Sequence, residues 1–146
     1  MHLSYRAAKV EDLQFLLQLR IDTMQEHMQN VGWPTDEITH TARIKHKFEY
    51  SKIILCEGQE VGLLKAHAGE DCWYIVQVQV GPEFQGRGIG ASAVKKIIAR
   101  ACGEKKDVLL SVIAGNPAQA LYSRLGFKAL DTVADEVQMR YYYQPL

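Results

Sequence analysis

Neither sign of charge dominates this chain, and no long apolar run interrupts it. Its 17 basic and 17 acidic side chains balance to a formal net charge of zero. That leaves no general electrostatic footprint for nucleic acid or for an anionic membrane surface, although a local basic site stays open. No apolar stretch approaches the roughly 20 residues that a membrane-spanning helix needs. The opening run Met1-His2-Leu3-Ser4-Tyr5-Arg6 has no signal-peptide core. Cysteine is scarce, and Cys56, Cys72 and Cys102 are isolated and odd in number. Such spacing suits lone thiols in a reducing cytoplasm better than a disulfide framework. The five histidines form no His-Glu-x-x-His or paired-cysteine pattern, so no metal site is expected. Repeats, linkers and low-complexity segments are missing as well. What is present is 146 residues with 47% hydrophobic content, enough to bury a core and expected to form one domain, 1–146.

The most informative stretch is Val80-Gly81-Pro82-Glu83-Phe84-Gln85-Gly86-Arg87-Gly88-Ile89-Gly90-Ala91. A valine-rich run, Val76 to Val80, precedes it and reads as a buried strand. Gly90, Val94, Ile97, Ile98 and Ala101 follow at helical spacing, with Lys95, Lys96 and Arg100 on other faces. Strand, glycine turn and helix start therefore adjoin without a gap. Glycines let backbone approach a ligand closely, the first helical turn leaves N–H groups free, and Arg87 adds a full positive charge. The turn is a seat for a phosphate or pyrophosphate; plain tight packing is the alternative use of such glycines. The spacing Gly-x-Gly-x-Gly departs from the dinucleotide fingerprint, and Asp107 precedes rather than ends the next apolar run. Ala91 and Ser92 after Gly90 also depart from a P-loop.

Read in order, the chain predicts a short strand over Leu3–Arg6 and a helix over Glu11–Met28. The expected apolar stripe of that helix is Leu13, Leu17, Ile21, Met24 and Met28, beside a stripe of Leu16, Arg20, Thr23 and His27. A second helix is expected from Thr35 or Asp36 to about Phe48, with Ile38, Ala42 and Phe48 partly buried. Lys52–Glu57 and Glu60–Ala68 form a hairpin around Gly58-Gln59, and Cys72–Val80 completes a meander. Asp107–Ile113 comes after a helical connection and should lie parallel to its predecessor. Asn116 suits an N-cap, Pro117 the first helical position and Gly126 the C′ position of a short helix buried through Leu121 and Leu125. Lys128–Val133 and Val137–Tyr143 read as a final hairpin. The expected fold is α/β (α+β): about seven strands, mostly antiparallel, and four helices in the order β-α-α-β-β-β-α-β-α-β-β.

This order, with Gln85-Gly86-Arg87-Gly88-Ile89-Gly90 and with Asn116-Pro117-Ala118 through Tyr122 to Gly126-Phe127, resembles the GCN5-related N-acetyltransferase (GNAT) superfamily over essentially the whole chain. The resemblance implies acetyl-CoA as co-substrate and splayed central strands, Cys72–Val80 and Asp107–Ile113. It implies main-chain amides from Gln85, Gly86, Arg87, Gly88, Ile89 and Gly90, with Ala91 adjoining, around the coenzyme A pyrophosphate. Val78 and Val80 would pair with pantetheine amides, Asn116 would hydrogen-bond the same arm, and Tyr122 would aim its hydroxyl at the thioester sulfur.

Acetyl transfer to an amine needs a neutral nucleophile, a donor for the developing oxyanion near Val78, and a group to receive the departing thiolate. Tyr122 is the candidate general acid. No carboxylate occupies the strand positions where the family resemblance implies a base; Gln77, Gln79 and Ser111 stand there. The remaining base candidates are Glu26, His27, His67 and Asp71, or a relay through ordered water. Gln77 and Gln79 share a strand face with Trp73 and Ile75, a candidate lining for the acceptor channel or a set of loop contacts. Trp33, Tyr50 and Trp73 are candidate pocket walls. Glu26, His27, Trp33 and Asp36 together suggest a cationic amine acceptor. The expected activity is an acyl-CoA-dependent N-acetyltransferase of EC 2.3.1 type, cytoplasmic, monomeric or homodimeric, acting on a small-molecule or peptide amine. A non-catalytic acyl-CoA-binding module or partner subunit is the alternative.

Overall fold

Runs rich in valine, isoleucine and leucine become strands wherever turns bound them, and the longer periodic stretches become helices. The computed structural model describes residues 1–145, so Leu146, the last residue of the expected domain, lies outside the described residues. The elements are β1 (Leu3–Ala7), α1 (Leu13–Asn30), α2 (Glu37–Lys45), β2 (Ser51–Cys56), β3 (Gln59–Ala68), β4 (Cys72–Val80), α3 (Ile89–Gly103), β5 (Asp107–Ile113), α4 (Ala118–Arg124), β6 (Lys128–Val133) and β7 (Glu136–Tyr141). Single 3₁₀ turns sit at Val10–Asp12, Phe48–Tyr50 and Pro82–Phe84. The mixed sheet has the strand order β1-β2-β3-β4-β5-β7-β6. The expected sequence of seven strands and four helices is therefore found, with β4 and β5 parallel.

The chain divides into two compact units that exchange segments: residues 1–65 with 77–90, and residues 66–76 with those from Ala91 onward. In the first unit β1, β2 and β3 form an antiparallel meander. Its core is Leu16, Leu19, Ile44, Ile53 and Leu63, with Leu13, Phe15, Leu17 and Phe48 packed against it. The β2–β3 turn is Glu57-Gly58, not Gly58-Gln59: φ is +50° and +80° there, and Cys56 pairs directly with Gln59. Two successive positive φ values define the tight hairpin turn whose twist suits its strands. Gly62 is fixed by contact, since a Cβ there would lie 2.2 Å from the Gln79 carbonyl oxygen.

The expectations for α1 and α2 need correction. α1 begins after a 3₁₀ turn, and its buried positions are Leu16, Leu19, Arg20 and Met28, whereas Leu13, Leu17, Ile21 and Met24 are only half-buried. Apolar spacing located the helix but not the rotation about its axis, because Leu16 and Leu19 extend the apolar arc to one side. The 3₁₀ turn is held by Arg6, which forks onto both Asp12 oxygens at 2.8 and 2.9 Å. α2 ends at Lys45, three residues early, and Ile38 is 81% exposed with Ala42 also exposed; His40 and Ile44 are the buried pair instead.

In the second unit β5 pairs with β4 from Cys72↔Asp107 to Ile75↔Leu110, and with β7 from Val108↔Tyr141 to Ile113↔Glu136. Among the described residues the parallel register stops at Ile75↔Leu110. Val94, Ile97 and Ala101 are buried and Lys95, Lys96 and Arg100 exposed, as the helical spacing of α3 requires. The β6–β7 turn is Ala134-Asp135, both at positive φ, so β7 starts at Glu136 and ends at Tyr141.

Candidate active site

The segment from β4 to α3 begins with a side-chain clasp. Gln85 Nε2 donates to the Val80 carbonyl at 2.9 Å, folding the turn back on the strand it leaves. Gly86 and Gly88 follow at φ +80° and +79°, with nothing within 4 Å of where a Cβ would stand. Only glycine takes that left-handed backbone freely, and the empty space shows that conformation, not packing, requires it here. α3 starts at Ile89, so the free N–H groups of its first turn face the end of this turn. Ile89 anchors the start at 1% exposure, while Gln85, Gly86, Arg87 and Gly88 are exposed. The Arg87 guanidinium lies 5.6 Å from the Phe84 ring centroid and reaches the Glu83 carbonyl at 3.5 Å. Exposed amides, a helix start and a guanidinium form a donor set matched to a pyrophosphate. Val78 and Val80 are half-buried on β4 just before the clasp.

The second unit holds Asn116 and Tyr122. Asn116 Oδ1 accepts the Ala118 N–H at 2.9 Å, and its own carbonyl accepts from Gln119. It caps α4 as expected, although Pro117 is also helical and the regular helix is counted from Ala118. At the other end Phe127 N–H bonds the Tyr122 carbonyl and Gly126 N–H the Ser123 carbonyl, the two bonds of a Schellman stop. Leu121 and Leu125 are only half-buried; Tyr122 is the buried residue of the helix, at 7% exposure. Its ring meets Phe127 edge-on at 6.0 Å, and Phe127 meets Tyr141 at 5.7 Å. Burial pushes the Tyr122 hydroxyl up to a pKa of about 12. Ser111 donates to Gln138 Oε1 at 2.8 Å across β5 and β7, a pairing that occupies its hydroxyl.

The remaining site candidates lie around α1, α2 and the strands. Gln79 is buried at 5% exposure, as are Trp73 and Ile75 on the same strand face. Gln77 Nε2 reaches the Arg43 carbonyl at 3.4 Å, tying β4 to the end of α2. Trp73 Nε1 donates to Glu104 at 3.0 Å and the Arg100 guanidinium covers its ring, so it serves the second unit's interior. Trp33 lies beneath the Arg43 guanidinium at 4.6 Å. Asp36 caps α2, accepting from the Thr39 N–H and hydroxyl, which holds its carboxyl below the usual range. Glu26 and Asp71 are exposed, His27 is half-buried and Tyr50 is 43% exposed. His67 is half-buried and stacks on Tyr74 at 5.3 Å.

Sequence reasoning passed over a buried polar group beneath α2. Lys65 is 0% exposed, and its Nζ donates to the carbonyls of Arg43, Ile44 and His46 at 3.2, 3.0 and 2.6 Å. Those carbonyls are the ones a helix end leaves without partners. Burial first, then the nearby Arg20 charge, lower the Lys65 pKa to about 8, with Glu49 opposing. His40 is 1% exposed, and neither ring nitrogen has a hydrogen-bond partner among the described residues. Burial and Arg20 hold it below the ordinary histidine value, so it is neutral at pH 7. A neutral histidine facing a guanidinium is a poor acceptor for a substrate ammonium proton. A signal for Lys65 was available: alternation places it on one face with Val61 and Leu63, both buried.

The Acetyltransferase (GNAT) family model matches residues 14–127. The chain belongs to that family. The family is one of acetyltransferases, and both motifs quoted from the sequence fall within the matched span or at its edge. Among curated proteins it is similar to the cysteine-rich protein 2-binding proteins of Mus musculus and Homo sapiens, at 30% identity over 118 residues in each case. That alignment takes in 79% of this chain and 14% of the relative, so the chain spans about a seventh of their length. Among solved structures it is similar to the PaiA N-acetyltransferase of Thermoplasma acidophilum in complex with coenzyme A. The TM-score is 0.73 at 17% identity, covering 98% of this chain and 100% of that one. It is also similar to the ribosomal-protein-S18-alanine N-acetyltransferase of Escherichia coli. There the TM-score is 0.69 at 18% identity, covering 96% and 93% of the two chains. At such identities these two likenesses speak for the GNAT fold.

Proposed function

We propose that this GNAT chain moves an acetyl group from acetyl-CoA to a primary amine of a small molecule or peptide, by direct attack in a ternary complex. The observation that carries the reading is the pair Gly86 and Gly88 at left-handed φ, directly ahead of the first turn of α3. The N–H groups of Gln85, Gly86, Arg87, Gly88, Ile89 and Gly90, with Ala91 in the same turn, hold the pyrophosphate. Val78, Val80 and Asn116 offer main-chain and amide groups to the pantetheine arm.

In the reaction the amine nitrogen attacks the thioester carbonyl carbon, the C–S bond breaks and the sulfur leaves as a thiolate. Tyr122 meets that sulfur. As general acid it donates to the thiolate, and burial, which raises its pKa, keeps that proton in place until charge develops on the sulfur. The proton lost by the amine passes to one of Glu26, His27, His67 or Asp71, directly or through ordered water, since Gln77, Gln79 and Ser111 cannot take it. Glu26, His27, Trp33 and Gln77 are the candidate acceptor contacts, with Gln77 oriented by its bond to α2. The E. coli protein noted above acts on a ribosomal-protein alanine, which favours a peptide acceptor. Residues 1–146 act as one acetyltransferase domain, and three free thiols suit work in the cytoplasm.

The test measures free CoA release over a panel of amines, polyamines and peptides, with wild type and Tyr122→Phe. Loss of one thiolate donor should lower kcat about 10- to 100-fold with acetyl-CoA affinity unchanged. An unchanged kcat would remove Tyr122 from the mechanism. Tight acetyl-CoA binding with no release on any amine would instead assign the chain to a non-catalytic binding module, a reading that the missing strand carboxylate favours.

A further inference from the structure

We infer that the outer face of α2 is a homodimer seam, in which the same helix of a second copy packs antiparallel against it. Glu37, Ile38, Thr41, Ala42 and Lys45 line a shallow surface hollow of about 420 Å³ that is largely open to solvent. At 100° per residue these five positions fall within an arc of about 140° on the helix, on a different face from the buried His40 and Ile44. Ile38 stands 81% exposed in this arc, beside exposed Ala42, Glu37 and Lys45. Solvent gives no return on a β-branched apolar side chain held at that exposure on a helix.

The arc is complementary to itself. Thr41 is its midpoint, with an acid four residues before it and a base four residues after it. A twofold axis through Thr41 that runs two copies of α2 in opposite directions sets Glu37 of each against Lys45 of the other. The two ion pairs then lie about 12 Å apart along the helix. Ile38 and Ala42 of both copies fill the space between the pairs. Opposed helix dipoles add attraction in this antiparallel arrangement. A parallel arrangement would set like charges together and is disfavoured. The charge order therefore selects a second copy and its orientation. A nine-residue helix buries little area, so the dimer is a weak one that assembles at high concentration.

Analytical ultracentrifugation of the full chain from low micromolar to several hundred micromolar tests this. Wild type should show a concentration-dependent dimer, and Ile38→Asp should weaken it at least about tenfold. Because Ile38 is exposed, the fold should survive that change, as far-ultraviolet circular dichroism would verify. Glu37→Lys and Lys45→Glu should each weaken the dimer by about tenfold through two like-charge contacts. An equimolar mixture of these two variants should regain it as a heterodimer, and Glu37→Lys/Lys45→Glu should regain the homodimer. A wild type that stays monomeric throughout overturns the proposal. So does a dimer indifferent to Ile38→Asp, or a mixture that fails to recover.

Discussion

The glycine turn before α3 and the polar group beneath α2 solve opposite problems within the same compact unit. The turn keeps its polar groups in water and spends almost no side chains on its task. Gly86, Arg87 and Gly88 are exposed, and a positive φ at two glycines is what gives the turn its shape. Under α2 the reverse holds: Lys65 and His40 are removed from water, and Lys65 holds the helix by three carbonyls. Function placed on main chain leaves a short motif in the sequence. Function placed on buried side chains leaves single residues with no motif at all.

Removing Lys65 should give the largest effect. Lys65→Met takes the buried ammonium donor from the Arg43, Ile44 and His46 carbonyls at the end of α2 and should cost about 2–4 kcal/mol of stability by urea unfolding, with acetyl-CoA affinity unchanged at low temperature. Weakened acetyl-CoA binding in the folded variant would mean that the two regions are coupled. Gly88→Val attacks the other side of the comparison. Forcing a β-branched residue to φ +79° costs about 1–2 kcal/mol, so acetyl-CoA should bind roughly 10-fold more weakly by calorimetry while the urea midpoint changes less than in Lys65→Met.

The titration of the buried pair sharpens the contrast further. Lys65 binds its proton less tightly when folded, about 8 against 10.5 unfolded. The unfolded chain therefore holds more protons between those values, and this residue's contribution to stability rises with pH over that window. His40 is also lowered, so its contribution is lost as pH falls below 6.5. Wild-type minus Lys65→Met stability should slope upward from pH 8 to 10.5, and wild-type minus His40→Leu should fall below pH 6.5. A flat difference curve in either case would show that the residue meets solvent. The smallest effect belongs to the clasp: Gln85→Ala removes one neutral hydrogen bond to Val80 and should cost about 0.5–1.5 kcal/mol in acetyl-CoA affinity.

Sequence alone carried the element order, the parallel placement of β5, the glycine turn and the Asn116-to-Phe127 helix, because each depends on local backbone demands. It misjudged what depends on tertiary contact. The rotation of α1 is decided by what Leu16 and Leu19 pack on, and the buried face of α2 by His40 and Ile44, neither of which stands out among Ile38 and Ala42. The hairpin turn slipped by one residue because Glu57, not Gln59, accepts a left-handed backbone beside Gly58. Gln77 was legible as a strand residue sharing a face with Trp73, Ile75 and Gln79; that it would reach the Arg43 carbonyl was not.

The stop after α4 has a consequence for how this chain tolerates change. Tyr122 carries the hydroxyl proposed to meet the thiolate, and its own carbonyl receives the Phe127 N–H that ends the helix. With Asn116 closing the other end, the segment is a fixed ruler of fewer than three turns. Adding or deleting one residue between the two stops would swing the hydroxyl about 100° around the axis. Length is therefore guarded here more strictly than composition: Ser123 or Ala120 can be exchanged at the surface, but the count from Asn116 to Gly126 cannot.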